Sequence, residues 1–283
     1  MSGIRRIKTT RSSQPTLEGA GVRLKRAFGF TEVPGLDPFL LLDDFHSDDP
    51  EDYIAGFPWH PHRGIETVTY MISGTVEHGD SIGNSGVIGP GEIQWMTAGS
   101  GIVHQEMPRR SDGELWGLQL WINLPAAHKM TKPRYRGITA VEIPERSASD
   151  GASVRVIAGR FDGTEGPISD VVADPTYLDV HLPPRTAFRH PTPDDHTVIA
   201  YVLSGAGFFA PTASSPVSAE HLIRYDAGSE VEIGAADGDL RFLLISGRPL
   251  GEPVAWRGPI VMNTEEELRT AFEEYRDGTF LKG

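Results

Sequence analysis

The chain has 283 residues, contains no cysteine and carries a formal net charge of −13 at pH 7. The absence of cysteine excludes disulfides, thiolate metal sites and cysteine nucleophiles, so any metal site must use histidine and carboxylate ligands. The acidic balance disfavours direct binding to nucleic acid, because affinity for DNA comes largely from contacts with phosphates.

The N-terminal arm is basic although the chain is acidic. Residues 1–30 hold seven Lys and Arg residues against one acid, Glu18. Because basic side chains protect exposed strand edges, we expect a solvated edge here, with a surface for a protein partner as the alternative. The start "MSGIRRIKTTRSSQ" lacks the apolar core of a signal peptide, and no apolar run approaches the roughly 20 residues of a membrane helix. We therefore expect a cytoplasmic protein with no membrane partner.

Strand patterns follow along the chain, and they occur twice. The stretch "YMISG" at 70–74 recurs as "YVLSG" at 201–205, and "GPGEIQWMTAGSG" at 89–101 matches "DAGSEVEIGAADG" at 226–238. Two matches in the same order indicate a duplicated β-domain. The stretch "NLPAAHKMTKPRY" is typical of a linker. We therefore predict an N-terminal metal-binding domain over 1–135 and a C-terminal domain over 136–283.

One helix is predicted, in "NTEEELRTAFEEYRDG" near the C-terminus. It begins with a capping-box pattern from Thr264 to Glu267 and ends at Gly278. Its apolar stripe consists of Leu268, Ala271, Phe272 and Tyr275. The predicted fold is all-β, with two small antiparallel β-barrels in tandem and this C-terminal helix.

Two histidine motifs indicate a metal site. His60 and His62 in "HPHRGIE" are two residues apart, so on a strand both imidazoles face the same way. His104 and Glu106 in "GSGIVHQEMP" repeat that spacing on a second strand. Glu66 has the same parity as His60 and His62, so spacing alone leaves Glu66 and Glu106 as alternative carboxylate ligands. If Gly64 bulges the strand, Glu66 becomes a carboxylate behind the ligands or a partner of Arg63.

The stretch from 60 to 108, "HPHRGIETVTYMISG…GSGIVHQEMP", closely resembles the pirin family of the cupin superfamily. The upstream "PFLLLDDFHSDDP" and the C-terminal "GPIVMNTEEELRTAFEEYRDGTF" extend the resemblance over most of the chain. It implies a bicupin with one iron ion bound by His60, His62, His104 and Glu106. Glu66 then stands where many other cupins place their carboxylate ligand. Gly99 replaces a proline of the general cupin pattern.

The second repeat is expected to be a metal-free cupin. Transferring the ligand positions by the repeat offsets gives Pro191, Pro193, Arg241 and Leu243, none of which suits a metal. His190 and His196 lie nearby and are interpreted as structural.

The resemblance also implies a function. Pirin-like bacterial proteins resemble quercetin 2,3-dioxygenases, which open a flavonol ring with dioxygen and release carbon monoxide. In this reading Fe(II), with Ni, Mn, Co, Zn or Cu as alternatives, binds an aromatic enol, and Glu106 or Glu66 removes its proton. The main alternative is an iron-dependent regulator that binds a transcription factor or metabolic enzyme without catalysis. A zinc-dependent isomerase or hydrolase is a further alternative.

An aromatic substrate requires an apolar slot. Its candidate walls are Phe57, Trp59, Trp95 and Met96. Asp43 and Asp44 follow an apolar run and are candidates for the pocket mouth or for a turn.

The ligand motif predicts one metal ion per chain, since only one repeat carries it. Elemental analysis of protein purified without added metal should find close to one equivalent. Metal-free protein, or two metals per chain, would contradict the assignment.

Overall fold

The computed structural model describes residues 3–111, 113–147 and 151–282, and strands dominate it. The strands of the first half are β1 (Ile7–Ser12), β2 (Gln14–Glu18), β3 (Val22–Phe28), β4 (Phe39–Ser47), β5 (Phe57–His62), β6 (Ile65–Ser73), β7 (Val76–Asp80), β8 (Ser85–Ile88), β9 (Ile93–Thr97), β10 (Ile102–Pro108), β11 (Leu115–Asn123) and β12 (Arg134–Ile138).

The second half continues with β13 (Glu145–Ser147), β14 (Ser153–Ala158), β15 (Arg160–Phe161), β16 (Thr164–Glu165), β17 (Thr176–Leu182), β18 (Ala187–Pro191), β19 (Thr197–Phe208), β20 (Val217–Ser218), β21 (His221–Tyr225), β22 (Glu230–Gly247), β23 (Ala255–Arg257), β24 (Ile260–Met262) and the helix α1 (Glu265–Arg276). Short 3-10 turns lie at Val33–Gly35, Pro50–Asp52, Ala126–His128 and Ala140–Glu142. The predicted all-β class, with one long helix near the C-terminus of the described chain, is confirmed.

The described chain forms two compact units. One, here called the histidine unit, comprises Gln14–Ala140 and Leu250–Gly283, and the other combines Met1–Ser13 with Val141–Pro249. The predicted division at 135/136 lies close to the junction at 140/141, but the structure exchanges the terminal segments. The arm at the N-terminus belongs with the second repeat, and the C-terminal helix belongs with the first.

Two larger antiparallel sheets form the body of the histidine unit, which also contains the two-stranded sheet β23-β24. One has the strand order β12-β9-β6-β11-β4-β3-β2 and the other the order β5-β10-β7-β8. Hydrogen bonds join their inner faces, from Thr69 on β6 to Glu106 on β10 and from Gln94 on β9 to His78 on β7. The space between the sheets therefore holds polar side chains as well as a hydrophobic core.

The second unit has one large sheet with the core order β1-β21-β19-β22-β17-β14-β13, and it also contains the two-stranded sheet β15-β16. Its hydrophobic core is one large cluster of buried residues, which includes Leu178, Val202, Phe209, Phe242 and Leu244. Burial of such side chains is the main stabilising term for the fold, at about 25 cal/mol per Å² of apolar surface.

The structure corrects the transfer of ligand positions to this second unit. Arg241 lies on the half of β22 that pairs with β17 and β19, where it forms an ion pair with Asp179. The counterpart of β10 is the other half of β22, which pairs with β18. β21 pairs with β19 as β9 pairs with β6, so β21 is the counterpart of β9 and the sequence match of 89–101 to 226–238 is out of register. The buried positions on this half of β22 are Val231, Ile233 and Ala235.

The basic arm is built into the sheets. β1 pairs with β21 and forms an edge of the second unit's sheet, as expected for a basic strand. Arg5 is buried and donates hydrogen bonds to Thr192 Oγ1 at 2.7 Å and to the carbonyls of Asp226 and Pro193. This arginine therefore fixes the arm to its own unit.

Helix α1 begins and ends where the sequence predicts. Thr264 caps its N-terminus in a capping box with Glu267, and Gly278 follows its end at a φ of +74°. Leu268 and Ala271 are buried in a cluster with Ile260, which fixes the helix to β24. No helix in the described part of the chain has the length and apolarity to cross a membrane.

His190 makes the stability of the second unit depend on pH. It is buried beside Phe161 and Phe188, and burial lowers its pKa to about 4, against 6.5 for an exposed histidine. Between pH 6.5 and 4 the unfolded chain therefore binds a proton at His190 that the folded chain does not bind. The contribution of His190 to the free energy of unfolding is at its full value above pH 6.5 and is lost as the pH falls towards 4.

We expect the free energy of unfolding to fall by about 3 kcal/mol on account of this histidine when the pH is lowered from 6.5 to 4, since one pKa unit corresponds to about 1.4 kcal/mol. Urea denaturation across this range should show a flatter pH dependence for His190→Phe than for the unsubstituted chain. His181→Phe, at a partly exposed position of the same unit, is the control. Identical pH profiles for His190→Phe and the unsubstituted chain would contradict the assignment.

Candidate metal centre

Pairing of two strands brings the three predicted histidines together. His104 on β10 lies opposite His60 on β5, and Ile102 lies opposite His62. Alternation along each strand then directs all three imidazoles to the same side. One ligand atom of each ring lies within 4.8 Å of those of the other two. The two motifs, 42 residues apart in sequence, form one cluster.

The hydrogen bonds of His60 and His62 determine which nitrogens face the cluster. Nδ1 of His60 lies 2.9 Å from the carbonyl of Pro58, and Nδ1 of His62 lies 3.0 Å from the carbonyl of Pro259. A carbonyl only accepts, so both Nδ1 atoms carry protons and both Nε2 atoms carry lone pairs. These Nε2 atoms lie 3.1 Å apart. Two lone pairs at this distance repel unless a cation lies between them.

His104 supports the same conclusion. Its side chain is completely buried, and neither ring nitrogen has a hydrogen-bond partner among the described residues. Burial lowers its pKa well below the usual value, and the neighbouring His62 and His60 lower it further. Buried polar atoms without partners are costly, and the lone pair of a neutral imidazole in this position suits coordination to a metal ion. The donor set therefore fits a divalent metal ion.

Glu106 lies next to the cluster in a buried position. Its Oε1 accepts a hydrogen bond of 2.7 Å from Thr69, and burial raises its pKa to about 7 against the effect of that bond. Like His60 and His62, it lines a cavity. Its carboxylate is outside the group of atoms that lie within 4.8 Å of one another. Its role as fourth ligand stays a prediction.

The structure does not bring Glu66 to the cluster. Its carboxylate accepts hydrogen bonds from Trp95 Nε1 at 3.2 Å and from Thr97 Oγ1 at 2.6 Å. Glu66 and Thr69 lie three residues apart on one strand, so Glu66 faces away from Glu106. Burial raises the pKa of Glu66, opposed by these hydrogen bonds and by nearby arginines.

The change of direction occurs at Gly64, between β5 and β6. Gly64 has a φ of +77°, and a Cβ there would lie 1.9 Å from the carbonyl oxygen of Val261. The alternation that directs His60 and His62 inward therefore does not continue to Glu66. Arg63 also does not pair with Glu66: it forms an ion pair with Glu274 at 2.8 Å.

Sequence reasoning missed a second polar group beside His104. His78 is buried with its ring centroid 5.5 Å from that of His104 and stacks on Tyr135. It receives a hydrogen bond from Gln94 Nε2 at 2.9 Å and donates through Nε2 to Asp80 at 3.2 Å. The spacing of His78 and Asp80 in "VEHGD", two residues apart, is a signal for side chains on one face of a strand, but the stretch also has the composition of a turn. His78 and its hydrogen-bond partners therefore pack against one side of His104.

A cavity of about 600 Å³ opens beside the histidines. Of the predicted wall residues only Phe57 lines it, because Trp95 and Met96 are buried in the core and Trp59 is mostly exposed elsewhere. The aromatic lining comes instead from Phe30, Phe45, Phe57, Trp121 and Trp256. Asp43 reaches the cavity, whereas Asp44 accepts a hydrogen bond from Trp116 and does not line it.

A row of polar residues crosses the inner face of the larger sheet. Asp43 lies opposite Arg26 on one side and opposite Gln119 on the other, and Gln119 lies opposite Thr69. Cross-strand partners point to the same face of a sheet. The row therefore leads from the Arg26–Asp43 ion pair to the Thr69 hydroxyl that contacts Glu106.

The two β-repeats and this histidine cluster define a bicupin, and among the described residues this cluster is the one group of histidines and carboxylates that can bind a metal. The family model for pirin matches residues 21–122, and the model for the pirin C-terminal cupin domain matches residues 177–281. The chain belongs to the pirin family.

Relatives match over almost the whole chain. A pirin-like protein of Caulobacter vibrioides is 47% identical over 268 residues, which cover 94% of this chain and 96% of the relative. A Pseudomonas aeruginosa protein provisionally named quercetin 2,3-dioxygenase is 40% identical, with 98% and 99% covered.

Solved structures agree with this fold. The crystal structure of quercetin 2,3-dioxygenase from Acinetobacter baumannii has a TM-score of 0.89 at 32% identity and covers 98% of this chain and 99% of its own. Bacterial pirin YhhW from Escherichia coli in complex with nickel(II) has a TM-score of 0.66 at 25% identity, covering 85% and 98%.

Thr69 should support metal binding through Glu106. Removing its hydroxyl in Thr69→Val leaves the carboxylate without the hydrogen bond that orients it, so we expect metal affinity to fall roughly 10-fold. Competition with a chelator for cobalt(II) measures the affinity, and cobalt absorption reports the ligand geometry. Thr67→Val, on the same strand and face, is the control. Equal affinity in the two variants would contradict this role.

Proposed function

We propose that this pirin is a metal-dependent dioxygenase that acts on flavonol-like aromatic enols, as in the quercetin 2,3-dioxygenase reaction. The observation that carries the proposal is the position of the histidine cluster, which borders a cavity of about 600 Å³ with aromatic walls. Such a volume suits a ligand of two to three rings, since pockets for small molecules span roughly 300–1,000 Å³. The names of the Pseudomonas and Acinetobacter relatives support the same reaction.

The proposed cofactor is a single Fe(II) ion held by His60, His62, His104 and Glu106. Nitrogen and oxygen donors of this kind also accept Ni, Mn, Co, Zn or Cu, and the Escherichia coli pirin was crystallised with nickel(II). When bound, the metal supplies Lewis acidity towards the substrate's enol oxygen and a route for electrons from substrate to dioxygen.

The proposed base is Glu106. Its carboxylate lines the cavity beside His60 and His62, and a base must lie within hydrogen-bond reach of the proton that it removes. Thr69 contacts Oε1, which leaves the second oxygen of the carboxylate for a ligand or a substrate hydroxyl. Glu66 has no proposed part in proton transfer, because its oxygens are held by Trp95 and Thr97.

The aromatic walls position the substrate and exclude water. Trp121 stands edge-on to the ring of His62, at 5.0 Å between centroids, and Trp256 lies 6.0 Å from Trp121. A flat ring that packs against these faces is oriented with its enol towards the histidines. In the overall reaction both atoms of dioxygen enter the ring-opened ester, and the excised carbon leaves as carbon monoxide, so no further reductant is needed.

The test is aerobic turnover of quercetin by Fe(II)-loaded protein. We expect dioxygen consumption with loss of the flavonol absorption band, and background rates for His60→Ala. His46→Ala is the control, since His46 is a partly exposed histidine that pairs with Glu114 away from the cavity. If protein loaded with Fe(II) or with any of the alternative metals consumes neither flavonol nor dioxygen, the proposal fails.

A further inference from the structure

The cavity contains a second polar group that the proposed reaction does not use. Arg26 and Asp43 line it together with Glu18, among walls that are otherwise largely apolar. The guanidinium of Arg26 donates through Nε to Asp43 Oδ1 at 2.8 Å and through Nη2 to Oδ2 at 2.7 Å. Asp43 is buried and Arg26 is partly exposed, and desolvation offsets part of the attraction in such a pair, so the pair is weak evidence for stability. Its presence in a cavity wall therefore calls for another explanation.

Both residues of the pair have hydrogen-bonding capacity that the described chain does not use. Each Asp43 oxygen accepts one bond, and both bonds come from Arg26, although each oxygen has capacity for a second. Nη2 of Arg26 also lies 2.9 Å from Glu18 Oε1, whereas Nη1 makes no hydrogen bond within the described chain. The pair thus keeps free acceptor capacity on Asp43 and a free donor on Arg26, and both residues line the cavity. A hydroxyl group, which both donates and accepts, complements this arrangement.

The register of the sheet sets the distance of the pair from Thr69, the residue that contacts Glu106. Asp43 is two strands away from Thr69 in the sheet, through Gln119, and neighbouring strands are about 4.8 Å apart, so the separation is about 10 Å. Thr69 contacts Glu106 at the other end of the row. Two linked aromatic rings span such a length, so a substrate with one end beside Glu106 can place its other end beside Asp43.

We propose that Asp43 and Nη1 of Arg26 bind phenolic hydroxyl groups on the substrate ring furthest from the metal, and so select polyhydroxylated aromatic enols. The inference rests on the proposed function for the orientation of the enol. Burial raises the pKa of Asp43 to about 6 against the attraction of Arg26, so the carboxylate is ionised and accepts hydrogen bonds above this pH.

The test measures binding rather than turnover. Trp121 and Trp256 line the cavity, so quenching of tryptophan fluorescence reports occupancy in metal-loaded protein without dioxygen at pH 8. The probes are quercetin, which carries ring hydroxyls, and 3-hydroxyflavone, which carries only the enol. We expect the unsubstituted chain to prefer quercetin and Asp43→Asn to reduce that preference roughly 10-fold or more, with 3-hydroxyflavone affected less than quercetin.

The matched control is Asp44→Asn, because Asp44 is the next residue on β4 and lies outside the cavity lining. Circular dichroism and thermal melting establish that each variant folds. If Asp43→Asn does not fold, Arg26→Lys carries the test, since it keeps the positive charge and removes the planar fork. It should also reduce the preference for quercetin.

The outcomes separate this inference from the proposed function. Discrimination that depends on Asp43 without any turnover supports the inference and refutes the dioxygenase. The inference is overturned if the folded variant, Asp43→Asn or Arg26→Lys, keeps its preference for quercetin over 3-hydroxyflavone. It is also overturned if the variant loses affinity equally for both probes. With turnover observed, either result leaves the dioxygenase proposal standing. No binding of either probe overturns both.

Discussion

The site depends on one contact, the pairing of β5 with β10. This pairing places His104 opposite His60 in a buried interior and brings two histidine lone pairs to 3.1 Å. The arrangement is unfavourable on its own, because neither nitrogen of His104 has a hydrogen-bond partner in the described part of the chain, and backbone carbonyls fix the rings of the other two histidines. A cation resolves both problems at once. The folded chain therefore holds the histidines in position before any metal binds, and folding supplies the free energy needed to bring them together.

The two repeats use the same architecture for different purposes. In the histidine unit the inner face of β10 carries His104 and Glu106, whereas the matching half of β22 carries Val231, Ile233 and Ala235. Apolar side chains in these positions add buried area without the desolvation cost of polar groups. His190 is the buried histidine that β18 contributes, and its pKa of about 4 reflects an environment suited to neutral side chains. The buried polar ligands of the first repeat therefore contribute less to its stability than the apolar side chains at the matching positions contribute to the second.

The polar row across the larger sheet gives the cavity two ends. At one end Thr69 orients Glu106 beside the histidines, and at the other Arg26 fixes Asp43 among aromatic walls. Gln119 lies between them, with its side-chain oxygen 2.9 Å from Thr69. Because one residue of each strand in β3, β4, β11 and β6 supplies the row, its spacing is set by the sheet itself. A rigid sheet positions such groups more accurately than loops do.

The sequence by itself determined the all-β class, the duplication, the capped helix and the three histidines, because these depend on local alternation, turn chemistry and motif spacing. It could not place Glu66, whose direction is set by Gly64 and its contact with Val261, or locate the aromatic walls Trp121 and Trp256, which lie far from the histidines along the chain. The carbonyl of Pro259 that orients His62 and the exchange of terminal segments between units are likewise tertiary. Periodicity describes which face of a strand a residue occupies, but only packing decides which distant segment covers that face.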